Sequence, residues 1–273
     1  MSGWRLTLLN PPALRLDLRG LLPSRLGPMT QAGIEQLRIG HGAGLVALGE
    51  LFRVEAQPAD DTLVFAGAGL ARCDRIGWRL DAGRVVVEGD AGDYAGALIH
   101  AGAMHVQGSA GTLAACEMAG GELSVDGDVG DYAAGCLPGS IDGMRGGRFI
   151  VRGNAGERFG DRMRRGTALV FGNAGDFLAS RMVAGTIALG GAAGAHVGYA
   201  MRRGSVVFAG PRPAHIAPTF VASIADAPVF WQLLARDLAR FGGPFEALPG
   251  RRIERRLGDL GAAGKGELIV GVA

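Results

Sequence analysis

Glycine recurs in this chain with a fixed period. Gly83, Gly102, Gly121, Gly147, Gly166, Gly185 and Gly204 are separated by 19 residues in five of six intervals; the exception, 26 residues between Gly121 and Gly147, carries a seven-residue insertion. A second glycine follows six residues after each of them, at 89, 108, 127, 153, 172, 191 and 210. A third follows three later, at 92, 111, 130, 156, 175 and 194. The unit therefore reads G-x-h-x-h-x-G-x-(A/V)-G, then six variable residues, then usually M-x-x before the next glycine. So short a unit cannot bury an apolar side alone, and it must stack on copies of itself.

Between the first two glycines runs a period-two alternation: Val85/Val87, Met104/Val106, Leu123/Val125, Phe149/Val151, Ala168/Val170, Ile187/Leu189 and Val206/Phe208. Each is a short strand with one buried face. The glycines supply corners, because they accept positive φ and let one turn approach the next. Leu80, Ile99, Met118, Met144, Met163, Met182 and Met201 stand three residues before the opening glycines and form an apolar column. Asp90, Ser109, Asp128, Asn154 and Asn173 follow the second glycine, where such side chains bond turn backbone.

The expected fold is all-β, a right-handed parallel β-helix of about 19-residue coils with a C-terminal capping helix. At an inter-strand spacing of about 4.8 Å the seven clear units span roughly 30 Å. Residues 61–210 form the repeat body, in which Asp61 to Gly67 reads as an earlier coil. Residues 1–60 are an N-terminal segment in which Leu37–Gly40 and Leu51–Glu55 are candidate irregular coils. Residues 211–273 supply the cover that an open stack end needs. There Phe230, Leu233, Leu234, Leu238 and Phe241 lie at helical spacing behind Asp226 as N-cap, and a weakly ordered tail starts at Arg251.

Composition excludes several classes. The 48 glycines in 273 residues are about two and a half times the usual share of about 7%, yet they lack the every-third-residue period of collagen. Hydrophobic residues at 48% and charged residues at 20% are those of a folded chain. A net charge of +2 argues for neither nucleic acid nor a membrane surface as partner. Cys73, Cys116 and Cys136 form no CxxC pair and leave one thiol over in any disulfide scheme, so a reducing, cytoplasmic setting is expected. No apolar run resembles a signal core or a membrane span.

A catalytic set does not assemble. Thioethers bind Cu(I), but methionine sharing a repeat position with Leu80 and Ile99 reads as core filling. The Gly89-Asp90 and Gly127-Asp128 dipeptides lack the nine-residue period of calcium-binding β-rolls. His41, His100, His105, His196 and His215 share no repeat position and no ligand spacing. Cys116 and Cys136 fall in adjacent coils at nearly one offset, as neighbours by chance or as a redox pair. No P-loop, dinucleotide fingerprint, GxSxG elbow or HExxH occurs. No catalytic residue, cofactor-binding residue or metal ligand is therefore assigned.

Charge is the remaining feature. Ten arginines lie between 145 and 203: Arg145, Arg148, Arg152, Arg158, Arg162, Arg164, Arg165, Arg181, Arg202 and Arg203. Matching offsets place Arg164/Arg165 and Arg202/Arg203 two coils apart on one face, a basic track for a polyanion or an acidic partner, or a solvated face with scattered ion pairs. Arg145, Arg148, Arg162, Arg164, Arg165, Arg181, Arg202 and Arg203 are the candidate contacts. The insertion Leu137–Gly143 protrudes from one coil as a second candidate contact.

A unit of this form ending in M-x-x-G resembles the GXGXG β-helix shared by the C subunit of formylmethanofuran dehydrogenase and the C-terminal domain of the glutamate synthase large subunit. Leu48-Gly49-Glu50-Leu51-Phe52-Arg53-Val54, the Gly146-Gly147 and Arg164-Arg165-Gly166 repeat ends, and Pro218-Thr219-Phe220 with Pro228-Val229-Phe230-Trp231-Gln232-Leu233-Leu234 are similar to the formylmethanofuran dehydrogenase family. That resemblance implies a non-catalytic structural subunit of a one-carbon complex, beside an amidohydrolase-like A component, a B component and a formyltransferase D component. It implies a methanofuran-type carrier with a glutamate-containing tail, a candidate ligand for the arginine track, and metals confined to the partner components. Arginine supplies 27 of the 28 basic residues, with Lys265 alone, a coding bias that favours the bacterial formyltransferase/hydrolase complex over the molybdenum or tungsten dehydrogenase. A glutamate-synthase-like domain is the other alternative.

Overall fold

The computed structural model describes residues 3–58, 61–223 and 228–272. Among them the chain is mostly β, with few helices, a 13-stranded sheet that is mostly parallel, and a separate four-stranded sheet. The alternating runs form the strands Arg84–Val87, Ala103–Val106, Glu122–Val125, Arg145–Val151, Arg165–Val170, Thr186–Leu189 and Arg203–Phe208, each parallel to the next. Register follows the repeat: Val85, Met104, Leu123, Phe149, Ala168, Ile187 and Val206 pair in one file. All seven are buried, as are Leu80, Ile99 and the five methionines of the apolar column. Gly166 shows why the corners are glycine. It has φ +92°, and a Cβ there would lie 2.8 Å from the Gly147 carbonyl oxygen of the preceding unit.

A second file of contacts runs through Ala91, Ala110, Val129, Ala155, Ala174 and Ala193, joined by single parallel bridges. Two side-chain ladders flank it. Asp90, Ser109, Asp128, Asn154 and Asn173 each accept from the backbone N–H one unit further on, at 2.6–3.1 Å. They bond the neighbouring unit and not their own turn. Asp93, Asp131 and Asp176 do the same one corner later, at 2.7–2.9 Å.

The six variable residues hide a third regularity. Leu113, Ala115 and Glu117 have φ near +60°, as do Phe177, Ala179 and Arg181. Their amides point alternately outward to the two neighbouring units: Leu113 N–H donates to the Asp131 carbonyl, Ala115 N–H to the Ala95 carbonyl and Glu117 N–H to the Gly135 carbonyl. Left-handed backbone costs a non-glycine residue about 1–2 kcal/mol, and the inter-unit bonds offset it.

Both ends depart from expectation. Thr62–Ala66 pairs in parallel with Arg84–Val87, but the next strand outward is Gly3–Leu8 from the chain's beginning. Phe52–Gln57 then closes that edge antiparallel, and Arg38–His41 belongs to a hairpin of the small sheet, so neither Leu51–Glu55 nor Leu37–Gly40 is a coil. At the other end the tail read as weakly ordered forms two strands. Lys265–Gly271 continues the parallel stack on Arg203–Phe208, and Ile253–Gly258 pairs antiparallel with it.

The helix Pro228–Ala239 exists but does not cover the stack end. Its Trp231, Ala235 and Leu238 pack with Ile150, Leu169, Ala188, Val207 and Ile269, the file of outward-facing residues in the last strands. The same file reads Val86, His105 and Ser124 in the earlier strands, which the helix leaves uncovered. The buried stripe also differs from the one read by spacing: Phe230 and Leu233 are exposed at 42% and 65%. The predicted N-cap Asp226 lies outside the described residues. Trp231→Ala is expected to lower stability by about 3 kcal/mol in denaturant titration, because it empties a packed site against the sheet face.

Candidate functional site: a cation-lined groove

Besides Arg84–Val87 near the start of the stack, three strands of its later part open with arginine, at Arg145, Arg165 and Arg203, and one more opens with Lys265. Arg145 pairs with Arg165 across the ladder, and Arg203 with Lys265. With Arg164, Arg202 and Asp142 they line an open groove of about 540 Å³ whose apolar contributors include Val183, Ala184 and Ala263. A second groove of about 780 Å³ shares Arg164, Arg202 and Val183 and adds Arg162, Arg181 and Ile141. Seven of the eight candidate arginines thus meet on one side.

Arg148 does not join them. Its guanidinium pairs with Glu122 at 2.8 Å and lies 5.2 Å from the Phe241 ring centroid. Arg152 and Arg158 likewise spend their charge over aromatic rings, at 4.1 Å from Phe171 and 4.4 Å from Phe177. Lys265 is the member that sequence reading missed. The signal was present: Lys265-Gly266-x-Leu268-x-Val270 repeats Arg203-Gly204-x-Val206-x-Phe208, after a break in the period.

The groove cations differ in how firmly they are held. Asp161 is 1% exposed and accepts from Arg181 through Nε at 3.0 Å and Nη2 at 2.8 Å, and from the Ser180 hydroxyl. A buried carboxylate paired in this way fixes the guanidinium it holds. Arg145 reaches Glu117 at 3.4 Å, and Arg164 is ion-paired with Asp142 of the insertion. Arg165, Arg202, Arg203 and Lys265 have no carboxylate partner among the described residues. Four uncompensated cations in one groove attract anions, and planar guanidinium groups suit carboxylates and phosphates.

Among the described residues no three His, Cys, Asp or Glu side chains group as a metal site, and no helix is long and apolar enough to cross a membrane. The methionine column is wholly inside the core. All three cysteines are free thiols. Burial pushes Cys73 up to about 12 and Cys116 well above the ordinary thiol range, and it raises the half-buried Cys136 as well. The thiolate is the nucleophile, so the buried Cys73 and Cys116 are unreactive in the folded chain and the half-buried Cys136 is slowed. Maleimide labelling at pH 8 is expected to modify Cys136 first, and Cys73 and Cys116 only after denaturation.

These features define a repeat protein on a largely parallel sheet, with a cation-lined groove at one edge of its units. Its likeness to solved structures is close: it matches a chain in the crystal structure of the formyltransferase/hydrolase complex (FhcABCD) from Methylorubrum extorquens with methylofuran. The two are 39% identical, the match covers 98% of this chain and 100% of that one, and the TM-score is 0.92. Over 78 residues the chain is 41% identical to the C subunit of the M. extorquens Fhc complex. Over 100 residues it is 32% identical to the C subunit of the tungsten-containing formylmethanofuran dehydrogenase 2 of Methanothermobacter wolfeii. These two matches take in 29% and 36% of this chain and 29% and 37% of the curated relatives' own lengths. No family model matches the chain. The protein belongs to the C-subunit family of formylmethanofuran dehydrogenases and formyltransferase/hydrolase complexes.

Proposed function

We propose that this chain is a non-catalytic structural and assembly subunit of a cytoplasmic formyltransferase/hydrolase complex of one-carbon metabolism. The single observation that carries the reading is the match over 98% of the chain to a component of such a complex. Its partners on this reading are an amidohydrolase-like A component, a B component and a formyltransferase D component. The stack is a right-handed parallel β-helix, in which residues 1–60 form the irregular start, 61–210 the coils and 211–273 the closing segment. The inter-unit register, the second file of bridges and the alternating left-handed run support one turn of backbone per 19 residues. Affinity tagging of the full chain in its native host is expected to recover these three partners in fixed ratio. Recovery alone, or with glutamate synthase components, would overturn the assignment.

The groove arginines are the contact for an anionic chain of the methanofuran-type carrier. Ion pairs of exposed cations with carboxylates are worth about 0.2–1 kcal/mol each, so several along the groove together retain a flexible acidic tail without chemistry in this chain. Four cations without a carboxylate partner among the described residues support the reading. Arg164→Glu with Arg202→Glu is expected to weaken methylofuran binding at least tenfold at low salt and to flatten its salt dependence; unchanged affinity would remove the groove from the carrier path.

A further inference from the structure

Asp142 is the one carboxylate among the residues lining the first groove, against six cationic side chains. It sits on the seven-residue insertion that lengthens a single unit from 19 to 26 residues. The insertion is pinned on both sides of it. Gly143 N–H donates to the Arg162 carbonyl at 2.9 Å, Ser140 N–H to the Leu137 carbonyl at 2.9 Å, and Asp142 N–H to the Ser140 hydroxyl at 3.4 Å. The carboxylate is thereby held against Arg164. Its Oδ1 is buried and makes the ion pair without accepting a hydrogen bond of ordinary geometry.

The opposite half of the groove is different. Arg202, Arg203 and Lys265 have no carboxylate partner among the described residues. Arg203 lies two strands from Arg165, about 9–10 Å at ordinary strand spacing, and Val183 and Ala184 lie in the intervening strand's unit. The groove thus has two cationic ends and an apolar middle, and at one end Asp142 of the chain itself pairs with Arg164 while Arg165 beside it keeps its charge unpaired among the described residues.

We propose that Asp142 occupies a subsite built for a ligand carboxylate, and that the groove takes an acidic chain carrying at least two carboxylates about two strand spacings apart. This rests on the reading of the groove as a polyanion site and adds its selectivity. A single anion binds the open end and leaves Asp142 in place. A chain with a second carboxylate at the right separation displaces Asp142 from Arg164 and gains both ends. The resident group is a carboxylate held by guanidinium, which favours carboxylates over phosphates as the ligand class. The pair is partly exposed, at 43% and 30% for the two side chains, and near-surface pairs are worth up to about 1 kcal/mol, so the competition tunes affinity severalfold and does not lock the groove.

Binding of poly-L-aspartate to the full chain, measured by calorimetry at low salt, tests the proposal. Asp142→Asn is expected to tighten binding about threefold to fivefold. Asp142→Glu, which keeps the competing charge, should bind as the parent does. Asp126→Asn removes the same charge outside the groove and should leave the affinity within twofold. Adding Arg164→Ala to Asp142→Asn should cancel the gain. If the parent binds and Asp142→Asn shows no gain beyond Asp126→Asn, the role of Asp142 is wrong while the groove stands. If neither parent nor Asp142→Asn binds the acidic peptide, the groove reading itself falls. Tighter binding of polyphosphate than of poly-L-aspartate at equal charge would overturn the carboxylate assignment.

Discussion

The structure depends on backbone hydrogen bonds that no unit can satisfy by itself. Each unit of 19 residues presents amides and carbonyls toward two neighbours: on its strand, at the bridge of the second glycine pair, and along the left-handed run. A buried amide left unpaired costs about 1–3 kcal/mol, so a unit removed from the stack loses on every side at once. Stability of this kind is close to a sum of nearest-neighbour terms. It also explains why the ladders of Asp90, Ser109, Asp128, Asn154 and Asn173 reach across units, since that is where donors are left over.

Repetition makes files, and files make surfaces. A change of residue type along one file switches the nature of a whole face. Val86, His105 and Ser124 leave the early part of the outer face half-polar, whereas Ile150, Leu169, Ala188 and Val207 turn its later part apolar, and the helix Pro228–Ala239 settles on the latter. The same logic builds the groove. Arginine at the start of three strands becomes a column of charge at strand spacing, interrupted at Val183 and Ala184.

What holds the cations apart is as informative as what brings them together. Asp161 lies buried beneath Arg181 and neutralises it from inside, while the insertion neutralises Arg164 from outside. The remaining cations face solvent at a spacing that screening at physiological salt, with a Debye length of about 8 Å, only partly relieves. Such a site favours anions by its standing charge and sorts them by where their charges fall. No nucleophile and base are needed for that, and the three thiols are kept protonated by burial.

The sequence by itself determined the repeat, the register of the strands, the methionine column and most of the charged face. These follow from one-dimensional spacing, which stacking converts directly into neighbours in space. Its readings failed where a contact joins segments outside the period. Gly3–Leu8 enters the sheet between Thr62–Ala66 and Phe52–Gln57, Lys265–Gly271 extends it, and the helix chooses a face and not an end. Each of those choices is made by the tertiary structure, because an edge strand or an apolar file accepts any segment that can pair or pack, whatever its distance along the chain. Lys265 joins the arginines for the same reason, brought there by a strand that the period alone does not predict.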